Sequence, residues 1–104
     1  MVYSYQARAA PKAGMEKLVE GAMQVFAQWV LTQPGLLHIH QLKDQTTGEL
    51  VGISFWRSKA DCDRMWAAAA QAPDAQQKNQ ALASALQRPM ETHEFEAIWE
   101  ATAR

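Results

Sequence analysis

The sequence is poor in the features that mark secreted, membrane-spanning and disulfide-linked proteins. It contains one cysteine, Cys62, which can neither close an internal disulfide nor build a thiolate metal cluster. The N-terminal segment lacks the apolar run of a signal peptide, and no apolar stretch approaches the roughly 20 residues that span a bilayer. We therefore expect a cytoplasmic location and no contact with a membrane.

An excess of charge of one sign is also missing. Lysine and arginine together number 10, aspartate and glutamate together 11, and the basic residues are scattered along the chain. A nucleic-acid-binding protein would carry a basic patch, so we expect no nucleic acid partner. The sequence also lacks a glycine-rich phosphate loop, a clear Ser-His-Asp arrangement and a paired-carboxylate signature.

The composition is that of an ordinary globular domain. The 104 residues are 48% hydrophobic and 20% charged, which is typical of soluble folded proteins. A chain of this length supports one hydrophobic core rather than two. We expect residues 1–104 to form a single domain.

Hydrophobic periodicity predicts alternating strands and helices. Period-two alternation indicates strands, and apolar residues at steps of three and four indicate helices. The order of strand, helix, strand, strand, helix, strand is typical of a ferredoxin-like α+β sandwich with an antiparallel sheet. The predicted strands are 2–8, 36–43, 50–56 and 92–102, and the predicted helices begin at 15 and near 58–61, with a loosely held extension over 74–87.

The turn between the two central strands predicts their register. Gly48 stands where a hairpin with a type I turn and a bulge needs a left-handed residue, and this geometry pairs Gln45 with Glu49. In that register His38 lies opposite Trp56. These two side chains would then share one face of the sheet.

The third strand is apolar on both faces, and the helices of so short a chain cover only one of them. We expect Phe55 to face the helices and Trp56 to face away from them. A large apolar patch is uncommon on a soluble monomer. A homodimer that packs sheet on sheet would bury the patch of both copies. The residues that we assign to this interface are His38, His40, Trp56 and His93.

Three segments of the chain resemble the dimeric α/β-barrel superfamily, in particular its antibiotic-biosynthesis-monooxygenase-like domains. They are the Gln-Pro-Gly-Leu-Leu run at 33–37, the hairpin and helix start at 47–61, and the closing strand at 94–99. The resemblance covers nearly the whole chain. It implies a ferredoxin-like fold assembled as a homodimeric α/β barrel, with a pocket between the helices and the sheet.

The resemblance also implies a function. It points to a cofactor-independent monooxygenase that acts on a small aromatic, quinol or polyketide-like compound, and we expect no cofactor. Such a reaction needs an apolar cavity, a base and donors that hold an oxyanion. The alternatives in the same barrel are a non-catalytic small-molecule-binding or stress-associated protein, and an isomerase. Fold alone does not decide among them.

Haem degradation, which occurs in the same superfamily, fits the sequence poorly. Haem-degrading members carry an Asn on the first strand, a Trp in the second helix and a His further on as the iron ligand. Here the first strand offers Gln6 and Ala7, Trp66 stands one position late, and segment 74–87 contains no His. The iron would lack its axial imidazole.

Aromatic residues are the candidates for lining the pocket. At these spacings they are also the usual constituents of a packed core, so both roles stay open. The candidates for catalysis are His38, His40, Tyr5 and Arg57. If the pocket lies between helices and sheet, the two histidines point away from it. The residues that we assign to the pocket are Tyr3, Tyr5, Phe26, Trp29, Phe55 and Trp66.

The histidine pair also raises the possibility of a metal site. His38 and His40 stand two apart on a strand, so they share a face and could grip one metal ion together with His93 from a second copy. No carboxylate or cysteine lies at obvious ligand spacing. We therefore expect interface histidines or a general base, and no metal.

Arg57 and Cys62 each have a functional and a structural interpretation. Arg57 could reach the rim of the pocket and hold an anionic substrate, or it could pair on the surface with Asp61 or Asp63. Cys62 lies on the inner stripe of its helix. It is expected to be a small buried hydrophobic residue rather than a nucleophile.

Overall fold

Seven elements of secondary structure follow the predicted order. The computed structural model describes residues 2–103. The segment after Pro73 forms a separate third helix, because proline interrupts the helix before it. The last strand ends at Glu96 rather than at residue 102. The elements are β1 (Tyr3–Ala9), α1 (Glu16–Val30), β2 (Leu36–Lys43), β3 (Leu50–Trp56), α2 (Lys59–Ala70), α3 (Ala75–Ser84) and β4 (Glu91–Glu96).

The four strands form one antiparallel sheet in the order β2-β3-β1-β4. β3 and β1 lie at the centre, and β2 and β4 are the edges. The predicted ferredoxin-like α+β architecture is confirmed. No helix in residues 2–103 is long and apolar enough to cross a membrane.

The helices cover one face of the sheet, which we call the helix face. Two buried clusters lie beneath them. One cluster joins the strands to α1 and to the chain after α3, and the other joins β3 to α1 and α2. The first consists of Ala9, Val19, Leu50, Ala85 and Leu86, and the second of Val30, Trp56, Cys62 and Met65.

The opposite face of the sheet carries no helix, and we call it the open face. It includes a shallow cavity of about 380 Å³ with a mostly apolar lining. Phe95 is 51% exposed there. The residues that line this cavity are Val2, Ser4, Ile53, Phe55, Phe95, Glu96 and Ala97.

The loop before β2 packs tightly on the start of α2. Gly35 has a φ of +88°, and its carbonyl accepts a hydrogen bond from the Arg57 N–H at 2.9 Å. The side chain of Asp61 occupies the space that a Cβ on Gly35 would need. Ser58 caps α2, since its hydroxyl accepts a hydrogen bond from the Asp61 N–H at 3.2 Å. Glycine is therefore required at position 35 for two separate reasons.

The predicted register of the central hairpin is wrong by one residue. Asp44 is the residue that closes the loop, because its N–H donates to the Glu49 carbonyl at 2.8 Å and its carbonyl accepts from the Gly48 N–H at 2.8 Å. Gly48 does adopt the expected left-handed conformation, with a φ of +77°. The loop has four residues instead of three, so His38 lies opposite Phe55 instead of Trp56.

A one-residue slip exchanges the faces of the paired side chains. Trp56 is fully buried on the helix face, so its assignment to a dimer interface is wrong. Phe55 lines the open-face cavity, so its assignment to a pocket under the helices is wrong as well. The indole of Trp56 fits the core because its N–H donates to the Ser54 hydroxyl at 2.9 Å. His38 and His40 lie on the open face, as predicted, but next to Phe55.

Ion pairs tie one end of the sheet together. The guanidinium of Arg8 on β1 contacts the Asp44 carboxylate at 2.9 Å and the Glu49 carboxylate at 3.4 Å. Arg88, which follows α3, also pairs with Glu49. These contacts hold the β2–β3 hairpin against the first strand and against the segment that leads to β4.

Candidate functional site

Aromatic side chains from three elements meet on the helix face. Trp66 of α2 stacks on Phe26 of α1, with ring centroids 5.5 Å apart, and packs against Tyr5 of β1 at 4.8 Å. Phe26 also contacts Trp29 one turn further along α1, at 5.8 Å. We call Tyr5, Phe26, Trp29 and Trp66 the aromatic cluster. The structure thus brings together four of the six residues predicted to line a pocket.

Trp56 and Trp66 differ in how their indole N–H groups are satisfied. The N–H of Trp56 donates to Ser54, whereas the buried N–H of Trp66 has no acceptor within hydrogen-bonding geometry in residues 2–103. A weak interaction of this N–H with the Cys62 thiol lowers the pKa of that thiol slightly, but sulfur is a weak acceptor. Buried donors in folded proteins are almost always paired. Within the described part of the chain, the indole N–H of Trp66 therefore has no oxygen or nitrogen acceptor and at most the weak sulfur acceptor of Cys62.

A second polar group borders the aromatic cluster on the edge strand β4. The hydroxyl of Tyr3 donates a hydrogen bond to Glu94 Oε1 at 2.7 Å. Glu94 lies opposite Tyr5 in the β1–β4 register. Glu94 is not among the site residues predicted from the sequence. The alternation along β4 could have identified it, because Glu94 has the opposite parity to Phe95 and therefore faces the helices.

Both tyrosines at this site remain protonated near neutral pH. The hydrogen bond to Glu94 raises the pKa of Tyr3 to about 12, because the carboxylate disfavours a neighbouring phenolate. Burial raises the pKa of Tyr5, while the side chain of Thr92 opposes the shift in part. Each hydroxyl can therefore act as a hydrogen-bond donor but not as a resting anion.

Cys62 lies under the same site and is completely buried. Burial raises the pKa of its thiol to about 11, with Glu94 and Asp63 adding to the effect. The thiolate is the nucleophilic form of cysteine. Cys62 therefore acts as a packing residue at neutral pH, which agrees with its predicted role.

The histidines lie away from the aromatic cluster. The rings of His38 and His40 are 5.2 Å apart, and His38 lies 4.7 Å from the ring of Phe55 on the open face. His93 is on the other edge strand, with its Nε2 3.1 Å from Glu91 Oε1. No group of three His, Cys, Asp or Glu side chains in residues 2–103 is arranged to hold a metal ion.

Arg57 is exposed at the end of β3. The two aspartates considered as its partners are engaged elsewhere: Asp61 pairs with Arg64 at 2.7 Å, and Asp63 pairs with Lys59 at 2.7 Å. Within residues 2–103 Arg57 forms no ion pair with either aspartate. The role of Arg57 at the rim of a pocket stays a prediction.

The aromatic rings fill much of the space where a pocket was expected. The two cavities described here lie elsewhere: one is the open-face cavity, and the other, of about 130 Å³, lies between α1 and the β2–β3 hairpin. The second is lined by Glu20, Met23, Gln24, Gln41, Leu42, Lys43, Leu50 and Val51. A ligand at the aromatic cluster would therefore need to displace or separate the rings, or lie on their exposed edges.

Comparisons with known proteins identify the fold. No protein-family model matches the sequence, and no curated protein matches it either. Solved structures do match. Rv0793 from Mycobacterium tuberculosis superposes with a TM-score of 0.82 and 17% identity, covering 98% of this chain and 100% of that one. SnoaB, a cofactor-independent oxygenase from Streptomyces nogalater, gives in a mutant form a TM-score of 0.76 and 19% identity, with 95% of each chain covered.

A structure described as an antibiotic biosynthesis monooxygenase matches as well, with a TM-score of 0.73, 14% identity, and coverage of 92% of this chain and 98% of that one. These likenesses extend over almost the full length of the chains. The predicted resemblance to antibiotic-biosynthesis-monooxygenase-like domains is confirmed at the level of the fold. At such low identity, similarity of fold does not transfer an activity.

Proposed function

We propose that this protein is a cofactor-independent monooxygenase of a flat aromatic compound, such as a quinol or a polyketide-like anthrone. The observation that carries the proposal is the buried indole N–H of Trp66 within the aromatic cluster, which has no oxygen or nitrogen acceptor among the described residues. An aromatic substrate matches the rings, and an oxygen atom on that substrate matches this N–H donor.

The chemistry begins with loss of a proton from the substrate. The resulting phenolate or enolate is electron-rich and reacts directly with dioxygen. In an anthrone, the CH₂ group becomes a carbonyl, one oxygen atom enters the product and the other leaves as water. The N–H of Trp66 and the O–H of Tyr5 are donors suited to stabilising the negative charge that develops on the substrate oxygen.

The comparisons support this choice among reactions. SnoaB, which has the same fold, is described as a cofactor-independent oxygenase, and a further match is described as an antibiotic biosynthesis monooxygenase. The support is that of a shared fold. The indole N–H of Trp66 among the aromatic rings is the feature of this chain that gives the comparison with these oxygenases a particular site.

Non-catalytic binding of an aromatic compound is the second candidate function. The observation that favours it is the mutual packing of Phe26, Trp29 and Trp66, which leaves the rings in contact with one another. A binding protein needs only that these rings open around a ligand, whereas an oxygenase must also deprotonate it. The two functions differ in whether dioxygen is consumed.

Oxygen uptake with a panel of quinols and anthrones tests the proposal. We expect turnover by the wild-type protein and a loss of about 100-fold in the Trp66→Phe variant, because one oxyanion donor is removed while a ring is retained. Trp99→Phe makes the same chemical change at a position that is 79% exposed, and should retain activity. If compounds of the panel bind but no oxygen is consumed, the oxygenase proposal is wrong and non-catalytic binding is the function.

We also propose that two copies pack through their open faces to form a dimer. Ile53, Phe55 and Phe95 present an apolar surface there, and the hydroxyl of Ser4 is buried with no hydrogen-bond partner in residues 2–103. Ile98, just beyond β4, is 93% exposed. Since a two-fold axis brings the same patch of both copies together, a second copy covers these apolar side chains at once.

A further inference from the structure

A carboxylate stands at the border of the aromatic cluster. Glu94 on β4 is the register partner of Tyr5 on β1, and side chains directly opposite each other on neighbouring strands have Cβ atoms about 5 Å apart. The Tyr3 hydroxyl donates to the same carboxylate at 2.7 Å. Glu94 is therefore oriented by one tyrosine and faces the other, whose ring contacts Trp66.

The other titratable groups near the cluster are poor proton acceptors. Tyr3 and Cys62 stay protonated at neutral pH, since their pKa values are raised to about 12 and about 11. Asp63 is engaged by the ammonium of Lys59 at 2.7 Å. Histidine is the usual general base, but the histidines of this chain lie on the open face, away from the cluster. Among residues 2–103, no lysine or arginine forms an ion pair with Glu94.

We propose that Glu94 is the proton acceptor of the oxygenation described above, and this inference rests on that proposed function. The O–H bond of a phenol or the C–H bond of an anthrone breaks, and the proton bonds to a carboxylate oxygen of Glu94. The electron pair of the broken bond stays on the substrate as the phenolate or enolate. Dioxygen takes no part in this step.

The position of Glu94 on an edge strand also suits a base that must be reset. Its side chain is exposed, so the proton can pass to solvent after each turnover. Tyr3 is a positioning residue in this scheme, because it donates to the carboxylate oxygen and restricts its orientation. The arrangement joins a buried oxyanion donor, Trp66, to a base that remains in contact with water.

Anaerobic mixing with anthrone isolates the proton transfer from the reaction with oxygen. The absorption of the enolate is recorded after wild-type protein or a variant is mixed with anthrone in the absence of oxygen. We expect the wild type to form the enolate and Glu94→Gln to form it at least about 100-fold more slowly, the usual range for loss of a general base. Glu94→Asp should recover part of the rate. Glu91→Gln removes the same charge from the open face of the same strand and should match the wild type.

The outcomes separate this inference from the proposed function. Enolate formation by Glu94→Gln at the wild-type rate, or no enolate with the wild type, overturns Glu94 as the acceptor. Admission of oxygen then tests the second step. If the wild type forms the enolate but consumes no oxygen, the oxygenase function fails while Glu94 stands. If Glu94→Gln consumes oxygen at the wild-type rate, Glu94 fails while the function stands. Circular dichroism of each variant shows that it is folded.

Discussion

Tyr3 is the residue whose ionisation is most directly tied to the candidate site. Its pKa of about 12 depends first on the hydrogen bond to Glu94, so Glu94→Gln should bring that pKa down toward 10. Absorbance of the phenolate as a function of pH measures the shift. The chain has only two tyrosines, and a Tyr5→Phe background therefore leaves Tyr3 as the sole phenol. An unchanged titration in Glu94→Gln would mean that the hydrogen bond does not persist in solution.

Asp44 should make folding sensitive to acid. The Arg8 guanidinium, followed by the N–H groups of Thr46 and Thr47, lowers the pKa of this carboxyl from 3.8 to about 2. A group with a depressed folded-state pKa stabilises the protein above its unfolded pKa and loses that effect as the pH falls through the folded value. The contribution is therefore complete above about pH 4 and lost toward pH 2.

Asp44→Asn tests this assignment by urea unfolding across that interval. We expect the variant to be less stable than the wild type at neutral pH, and the difference between them to shrink as the pH falls from 4 to 2. Because the pair with Arg8 is partly exposed, added salt should also reduce the difference. A difference that stays constant over this pH range would contradict the role of Asp44.

At the scale of elements, Gly35 is the position where adding a single methyl group should lower the stability most. Gly35→Ala meets two costs, a left-handed backbone and a collision with the Asp61 side chain at the start of α2. Gly14→Ala is the matched control, since Gly14 has a similar φ of +84° but open space around its Cβ position. We expect Gly14→Ala to cost about 1–2 kcal/mol, and Gly35→Ala clearly more. Urea unfolding midpoints of the two variants measure the difference.

In the central hairpin, the sequence predicts the bounds of the strands but not their register. The bounds of β2 and β3 match their predicted ranges, because their apolar residues and the turn at Gly48 mark them directly. The register does not match, because it depends on whether the loop contains three or four residues. Local propensity barely distinguishes these loops, whereas the slip moves Trp56 and Phe55 to opposite faces.

The candidate site, like the hairpin, was predictable from the sequence only in part. Aromatic residues at helical and strand spacing pointed to a cluster, and Tyr5, Phe26, Trp29 and Trp66 do meet. The alternation along β4 indicates that Glu94 faces the helices, but its closeness to Tyr3 and Tyr5 depends on the pairing of β1 with β4, two strands at opposite ends of the chain. Pairing over so long a separation leaves no local pattern. The missing acceptor for Trp66 is likewise a property of packing.

For the whole molecule, the testable property is the state of assembly. We expect the wild type to sediment as a dimer at micromolar concentration, with twice the chain mass of 11.6 kDa. Phe95→Asp should produce monomers, because it places a charge in the apolar centre of the open face. Light scattering and sedimentation velocity distinguish the two states.

Leu18→Asp is the matched control for that substitution. Leu18 is 55% exposed, close to the 51% of Phe95, but it lies on α1 in the layer of the helices. A change of surface hydrophobicity alone would affect both variants equally. Dissociation caused by Phe95→Asp and not by Leu18→Asp locates the contact on the open face. A wild type that remains monomeric at micromolar concentration rules out the assembly.

Complete burial makes Cys62 a natural reporter of motion. The chain has no other thiol, and this one lies between α2 and the sheet with no exposed surface. A reagent such as a disulfide dye can react with it only when the helix layer lifts, and the labelling rate therefore reads the frequency of that opening. The same opening would part the rings above it. Labelling slowed by an aromatic ligand would show that ligand binding stabilises the closed form of this layer.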